Sequence, residues 1–198
     1  SMLDIGCGSG LSLIEVAKMG GHGFGVEADP NIKSLAEQLN LDIFIGDFRK
    51  DTYNDKIFDL VVMNQVLEHI PEPNKYLEII KDKMSSQSTL IVSFPNTKSF
   101  WRYISGKKWI NWHVPYHLHH FNDINFERMA KNCGFKIIKK KTITPNIWTI
   151  MQIRAFFKTT KVGEKSNLWN EVYLNKKYNK NNKYKNLILI PIKILLKL

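Results

Sequence analysis

Leu3 to Gly10 read LDIGCGSG, a short apolar strand carrying an acid, Asp4, near its tip, followed by glycines at alternate positions, Gly6, Gly8 and Gly10. Glycine lets a backbone turn sharply and approach a ligand with no Cβ in the way. Three of them directly after a strand predict a floor for a bound cofactor, against the alternative of an ordinary tight turn into a helix. The dinucleotide fingerprint G-x-G-x-x-G places its third glycine one residue later, where this chain has Leu11, so the spacing disfavours NAD and FAD. No Gly-Lys-Ser/Thr ending follows either, which disfavours a triphosphate loop.

Three further stretches extend the pattern. In HGFGVEADP, Gly23 to Val26 reads as a second strand with Glu27 at its end, seventeen positions after Gly10. A carboxylate at a strand tip, about 20 residues beyond a glycine loop, offers an acceptor pair for two ribose hydroxyls. Asp29 reads as a helix cap instead, because Pro30 suits a first helical position and Ile32, Leu35, Ala36 and Leu39 recur at helical spacing. LDIFIGDF gives a third strand, Ile43 to Ile45, ending in Gly46, Asp47 and Phe48. IFDLVVMNQVLEHIPEP gives a fourth, Ile57 to Met63, whose unbroken apolar run fits a central strand. Asn64 and Gln65 then project from its carboxyl end, where open α/β sheets bind ligands.

These motifs resemble those of the class I S-adenosylmethionine (SAM)-dependent methyltransferases, in their small-molecule group related to quinone-biosynthesis and surface-glycan-associated enzymes. The resemblance implies an α/β fold: a Rossmann-like three-layer sandwich, with a mostly parallel sheet and helices on both faces. It also implies that Asp4 helps hold the ammonium of SAM, that Asp47 approaches the adenine amino group and that Phe48 packs near the ring. The cofactor set it points to is Asp4, Gly6, Cys7, Gly8, Gly10, Glu27, Ala28, Asp47, Phe48, Asn64 and Gln65. VLEHIP is similar to the family's fourth motif, with Glu68 and His69 read either as functional residues or, in preference, as a helix-start acid and a satisfied histidine. The family has helices before the first strand and a final antiparallel strand. Neither is legible here, so a chain truncated at both ends is expected.

Downstream, NKYLEIIKDKM puts Tyr76, Leu77, Ile80 and Met84 on one helical face, and STLIVSFP reads as a fifth strand. NDINFERMAKNCGF predicts a helix capped by Asp123 and stopped at Gly134, leading into the strand-like FKIIKKKTIT. Strands alternating with helices support the layered sheet independently. The organisation expected is a SAM-binding core over 1–145 with an aromatic and histidine-rich insertion at 96–121, then a basic, partly apolar extension over 146–198. Within that extension Asn146 to Phe157 reads as an apolar helix and KKYNKNNKYKN as a linker.

The insertion leaves the fifth strand's carboxyl end, so it is the natural acceptor pocket and lid. Its aromatics suit a flat or greasy acceptor. Four histidines fall between His113 and His120, but neighbouring histidines seldom converge and no cysteine stands near, so no metal is expected. One histidine serving as general base fits better. PYHLHHF resembles a methyltransferase group associated with surface-glycan genes, which points to His117 first and His120 second as catalytic residues.

The chain of 198 residues has a net charge of +11, unevenly spread. Residues 1–135 carry 14 Lys and Arg against 16 Asp and Glu, and residues 136–198 carry 15 against 2. A nucleic-acid enzyme would spread positive charge about its active-site mouth, so nucleic acid is disfavoured as a partner. The closing LILIPIKILLKL is too short to cross a bilayer. Basic residues beside apolar ones instead fit peripheral contact with an anionic membrane face, and a core-packing helix with a solvated basic linker fits equally. Cys7 and Cys133 show no disulfide or zinc spacing, consistent with a reduced, cytoplasmic setting. The expected activity is methyl transfer from SAM to a small-molecule, lipid-linked or glycan acceptor, most readily at oxygen, with S-adenosylhomocysteine (SAH) as product. A non-catalytic SAM-binding scaffold, an RNA methyltransferase and, more weakly, a nicotinamide oxidoreductase are the alternatives.

Overall fold

The first four strands are apolar runs short enough to be strands and pair in parallel. β1 (Met2–Ile5) lies between β2 (Gly23–Glu27) and β4 (Phe58–Asn64), β3 (Asp42–Ile45) flanks β2, and β5 (Met84–Ser93) flanks β4. A computed structural model describes residues 1–157 in full and the backbone of residues 193–197. The linker expected at KKYNKNNKYKN lies outside the described residues. β6 (Lys136–Lys141) and β7 (Lys193–Lys197) complete a seven-stranded sheet of order β3-β2-β1-β4-β5-β7-β6, with β7 antiparallel to both neighbours. The helices are α1 (Leu11–Lys18), α2 (Lys33–Gln38), α3 (Pro73–Lys81), α4 (Phe100–Ser105), α5 (Asp123–Asn132) and α6 (Asn146–Phe157). This is the Rossmann-like sandwich the motifs imply.

The core forms where strand side chains meet the helices. Leu3, Phe58, Val61, Met63, Leu90 and Val92 from the central strands are fully buried, together with Leu77 and Ile80 of α3 and Phe126 and Ala130 of α5. Asp29 caps the turn before α2 as expected, its Oδ1 accepting from the Asn31 amide at 3.0 Å.

Several expectations need correction. Met84 does not continue α3 but opens β5, because the helix ends at Lys81 and the chain turns straight into the strand. The cap of α5 is Asn122, not Asp123. Its side chain accepts from the Ile124 and Asn125 amides while Asn125 returns a bond to the Asn122 amide, a reciprocal capping box. Gly134 does end that helix, at φ +84°. The final antiparallel strand missing from the sequence reading is β7, drawn from the closing apolar stretch. Ile194 pairs with Val92 and Leu196 with Leu90, so this part of the expected 146–198 extension lies inside the sheet. It is a strand, not a helix.

The strand order reverses between β1 and β4, and ligands of such sheets bind at that reversal, beyond the carboxyl ends. Ile5 stands opposite Met63, so the glycine loop after β1 lies beside Asn64.

Gly25 holds the loop's underside. A Cβ there would sit 2.7 Å from Cys7 Sγ and 3.0 Å from both Ile43 Cγ1 and Leu13 Cδ1. Gly25→Ala should therefore cost about 1–3 kcal/mol through overpacking, read as a lower urea midpoint with unchanged slope; an unaltered midpoint would contradict the packing described.

Candidate functional site

The loop is tied to β2 by backbone bonds, Gly6 N–H donating to Val26 O at 2.8 Å and Cys7 N–H to the same oxygen at 3.1 Å. Gly6 and Gly8 both take positive φ, +73° and +53°, conformations that L side chains rarely adopt. A Cβ on Gly6 would run into Val66, so glycine there lets the loop meet the turn after β4. A Cβ on Gly8 would meet nothing within 4 Å. Gly8 thus borders open space, a cradle that a side chain would fill.

Glu27 stands where the carboxylate was expected. Its Oε2 accepts from Gly8 N–H at 2.8 Å and its Oε1 from Asp29 N–H at 3.0 Å, and Ala28 lies between the two strapped segments. Asp4 is buried, and the Ser12 hydroxyl at the start of α1 donates to it. Burial, with Glu27 adding to it and Ser12 opposing, raises its pKa to about 6. Burial and the carboxylates of Asp4 and Glu27 push the Cys7 thiol up to about 12, so it remains protonated and inert as a nucleophile. On the far side, Asp47 is exposed, 3.9 Å from Arg49. Phe48 is buried in the core, its ring edge-on to Tyr76 at 5.6 Å.

At the end of β4, Asn64 Oδ1 accepts from the Ser93 hydroxyl and Gln65 N–H donates to Ser93 O at 2.9 Å, pinning the tips of β4 and β5 together. The insertion docks onto the turn that follows. Leu118 and His119 amides donate to Glu68 O at 2.8 and 3.1 Å, and His69 Nδ1–H donates to Tyr116 O at 2.9 Å. His117 Nδ1–H donates to Asn111 O at 2.8 Å, which leaves its Nε2 with a lone pair; His120 spends Nε2–H on Trp112 O at 3.1 Å. Burial, reinforced by neighbouring histidines and opposed by the Asn111 carbonyl, lowers the His117 pKa to about 4.

α6 closes the site from the other side. Gln152, almost wholly buried, accepts from Ile110 N–H and donates to Lys108 O, both at 3.0 Å, stapling α6 to the insertion. Between them and the end of β5 lies a small cleft open to solvent. Trp101, Trp109 and Trp148 line it with Gln65, Asn96 and Asn111. Neither His117 nor His120 is among the lining residues, although Asn111 connects His117 to the wall.

Sequence reasoning missed Ser12, Ser93 and Gln152, whose partners lie 8, 29 and about 40 residues away along the chain and are brought close only by folding. Glu68 does sit in a short helical turn, Leu67–His69, as read, but its burial was not anticipated. Its side chain is 1 % exposed, neither oxygen has a hydrogen-bond partner among the described residues, and burial raises its pKa to about 7. Glu68, His69 and His117 bring one ligand atom each to within 4.8 Å of one another, the one grouping among the described residues spaced to hold a metal ion. The histidine run in the insertion hinted at this, but its carboxylate partner comes from another part of the chain.

A family model described as a methyltransferase domain matches residues 1–140. Curated relatives include the ubiquinone biosynthesis O-methyltransferases of Cereibacter sphaeroides, 35% identical over 120 residues, and of Maricaulis maris, 30% identical over 135. These alignments cover 55% and 62% of this chain and 47% and 52% of the relatives, so the chain spans about half their length. Among solved structures, a SAM-dependent methyltransferase from Archaeoglobus fulgidus superposes with TM-score 0.63 at 20% identity, covering 100% of this chain and 85% of that one. The plantazolicin methyltransferase in complex with SAH gives 0.61 at 16% identity, covering 99% and 74%.

The Glu68 carboxyl supplies a pH signature. Between about pH 4.5 and 7 the folded chain keeps a proton that the unfolded chain releases, so stability falls as pH rises through this window. Glu68→Gln should remove that dependence. In EDTA, the variant should unfold at the same urea concentration as wild type near pH 4.5 and be more stable by roughly 2–3 kcal/mol at pH 8. A difference that does not change with pH would show that the carboxyl is not buried as described.

Proposed function

We propose that this chain, which belongs to the methyltransferase domain family, binds SAM on its glycine loop and transfers the methyl group to an oxygen of a small-molecule acceptor. The observation that carries this is the pairing of open space above Gly8 with a carboxylate, Glu27, held beside it at the point of strand reversal. The names of the O-methyltransferase relatives support oxygen as the receiving atom.

The residues present fit the cofactor. Glu27 would take the ribose hydroxyls, Asp47 the adenine amino group and Asp4 the ammonium, with Gly6, Cys7, Gly8 and Gly10 as the floor. Ala28, Asn64, Gln65 and the Phe48 backbone would border it. Bound there, SAM supplies a methyl group on positively charged sulfur, already activated for in-line displacement. The chain's own task is then alignment and exclusion of water, to which positioning can contribute up to about 7–11 kcal/mol. The insertion and α6 wall off the acceptor side. The proton leaving the acceptor hydroxyl goes to the Nε2 lone pair of His117, neutral at physiological pH, with His120 as the second candidate.

Calorimetric titration of the full chain with SAH tests the cofactor assignment. Wild type should bind, Glu27→Ala should weaken binding at least ten-fold, and Gly8→Val should abolish it while the chain still folds. Equal affinity in all three would refute it. His117→Ala should leave SAH binding intact and lower kcat about 10²- to 10⁴-fold.

We further propose that the α4 and α6 face rests on an anionic membrane. Phe100 and Tyr103 on α4 and Ile150, Ile153 and Phe157 on α6 are exposed, and the sequence beyond residue 135 is strongly basic. Among the described residues no helix is long and apolar enough to cross a membrane. The full chain should co-sediment with phosphatidylglycerol vesicles in a salt-sensitive manner and much less with phosphatidylcholine. Equal recovery with and without vesicles would exclude the contact.

A further inference from the structure

We infer that Glu68, His69 and His117 form a binding site for a transition-metal dication of the zinc type, and that an ion held there takes the lone pair of His117. One ligand atom from each of the three lies within 4.8 Å of the other two. Ligands about 2.1 Å from a tetrahedral zinc stand about 3.4 Å from one another, a spacing that small side-chain rotations reach from here. Only His117 of this set comes from the histidine run of the insertion. Glu68 and His69 belong to the turn after β4, and the Leu118 and His119 amides, bonded to Glu68 O, bring the insertion to them.

The bonds behind the three side chains are those of a ligand set. Tyr116 O accepts from His69 Nδ1–H at 2.9 Å, and Asn111 O accepts from His117 Nδ1–H at 2.8 Å. A carbonyl oxygen can only accept, so both rings carry their proton on Nδ1 and offer an unprotonated Nε2. Metal-bound histidines are oriented in this way, by a bond from the other ring nitrogen to a carbonyl. Glu68 completes the set. It is 1 % exposed, and neither carboxylate oxygen has a hydrogen-bond partner among the described residues. Burying a carboxylate without a partner is costly, and a cation between it and two imidazoles removes that cost. His69 is exposed, which gives an ion its way in and leaves a fourth position to water. Two imidazoles and one carboxylate favour zinc and its neighbours over magnesium and calcium, which prefer oxygen ligands throughout. The methyl transfer proposed above gives the same His117 lone pair to the proton of the acceptor hydroxyl. Zinc and that base therefore exclude each other, a consequence that rests on the methyl-transfer reading, whereas the site itself does not.

Long-range ¹H–¹⁵N NMR of the histidine rings tests this on the full chain, freed of metal with EDTA, dialysed and titrated with zinc chloride, with magnesium chloride for comparison. SAH binding is measured calorimetrically on the same samples. Before zinc, His69 and His117 should show an unprotonated Nε2. With zinc, these two of the six histidines should shift together and saturate at one equivalent, and magnesium should leave them in place. His69→Ala and His117→Ala assign the signals. Glu68→Gln keeps the shape of the side chain and should weaken zinc binding at least about ten-fold, since loss of an outer-shell partner alone costs roughly 10–100-fold. Shifts spread over other histidines without saturation at one equivalent mean an adventitious ion only. That result, an equal response to magnesium, no response to zinc, or zinc affinity unchanged in Glu68→Gln would overturn the inference, and the wild-type titration decides even if an alanine variant fails to fold. SAH binding without zinc binding refutes the metal site and leaves the methyltransferase reading standing; zinc binding without SAH binding does the reverse.

Discussion

One carboxylate organises the ligand-facing end of the sheet. Glu27 accepts from Gly8 N–H on one side and Asp29 N–H on the other, so the loop after β1 and the turn after β2 are fixed relative to each other through a single side chain. The bonds are strong because the acceptor is ionised and the donors are backbone amides with few alternatives. They also depend on glycine, since Gly8 reaches Glu27 from a positive-φ conformation and Gly6 allows the loop to lie against Val66. Removing the acid would free two amides and loosen both segments at once.

A second set of constraints orders the insertion, and it is made mostly from backbone. The insertion is held to the turn after β4 through carbonyl oxygens of Glu68, Pro71 and Tyr116 and braced internally through those of Asn111 and Trp112, most of them bonded by histidine rings. This explains why a segment rich in histidine is ordered as a wall. Each ring that donates one nitrogen to a carbonyl has its tautomer fixed, and His117 is left with its second nitrogen unprotonated beside a buried carboxyl. Gln152 then joins α6 to the insertion, so the two sides of the cleft are hydrogen-bonded to each other.

What was legible in the sequence was local. The LDIGCGSG loop, Glu27 and the Asp29-Pro30 cap are written in consecutive residues whose conformational needs are specific, and the structure places each where the spacing required. The helix at 146–157 was equally readable from its apolar run and the strong breaks around it. β7 was not, because Ile194 to Leu196 is a three-residue apolar core between lysines whose identity as a strand comes only from pairing with Leu90 to Val92, about a hundred residues earlier. Glu68 was legible as the acid of a short helical turn, but its burial was not, because the insertion that bonds its carbonyl comes from some fifty residues later. The burial of Phe48 was not legible either, because which way its ring turns is decided by packing against the core.

The central claim, that the Gly6 to Gly10 loop and Glu27 together hold the methyl donor, is tested most directly by a crystal structure of the full chain grown with SAH. The account predicts density along the loop with Gly8 beneath it and the ribose hydroxyls on the Glu27 carboxylate. Ligand density elsewhere, with Glu27 still occupied by the Gly8 and Asp29 amides and the loop bare, would contradict it.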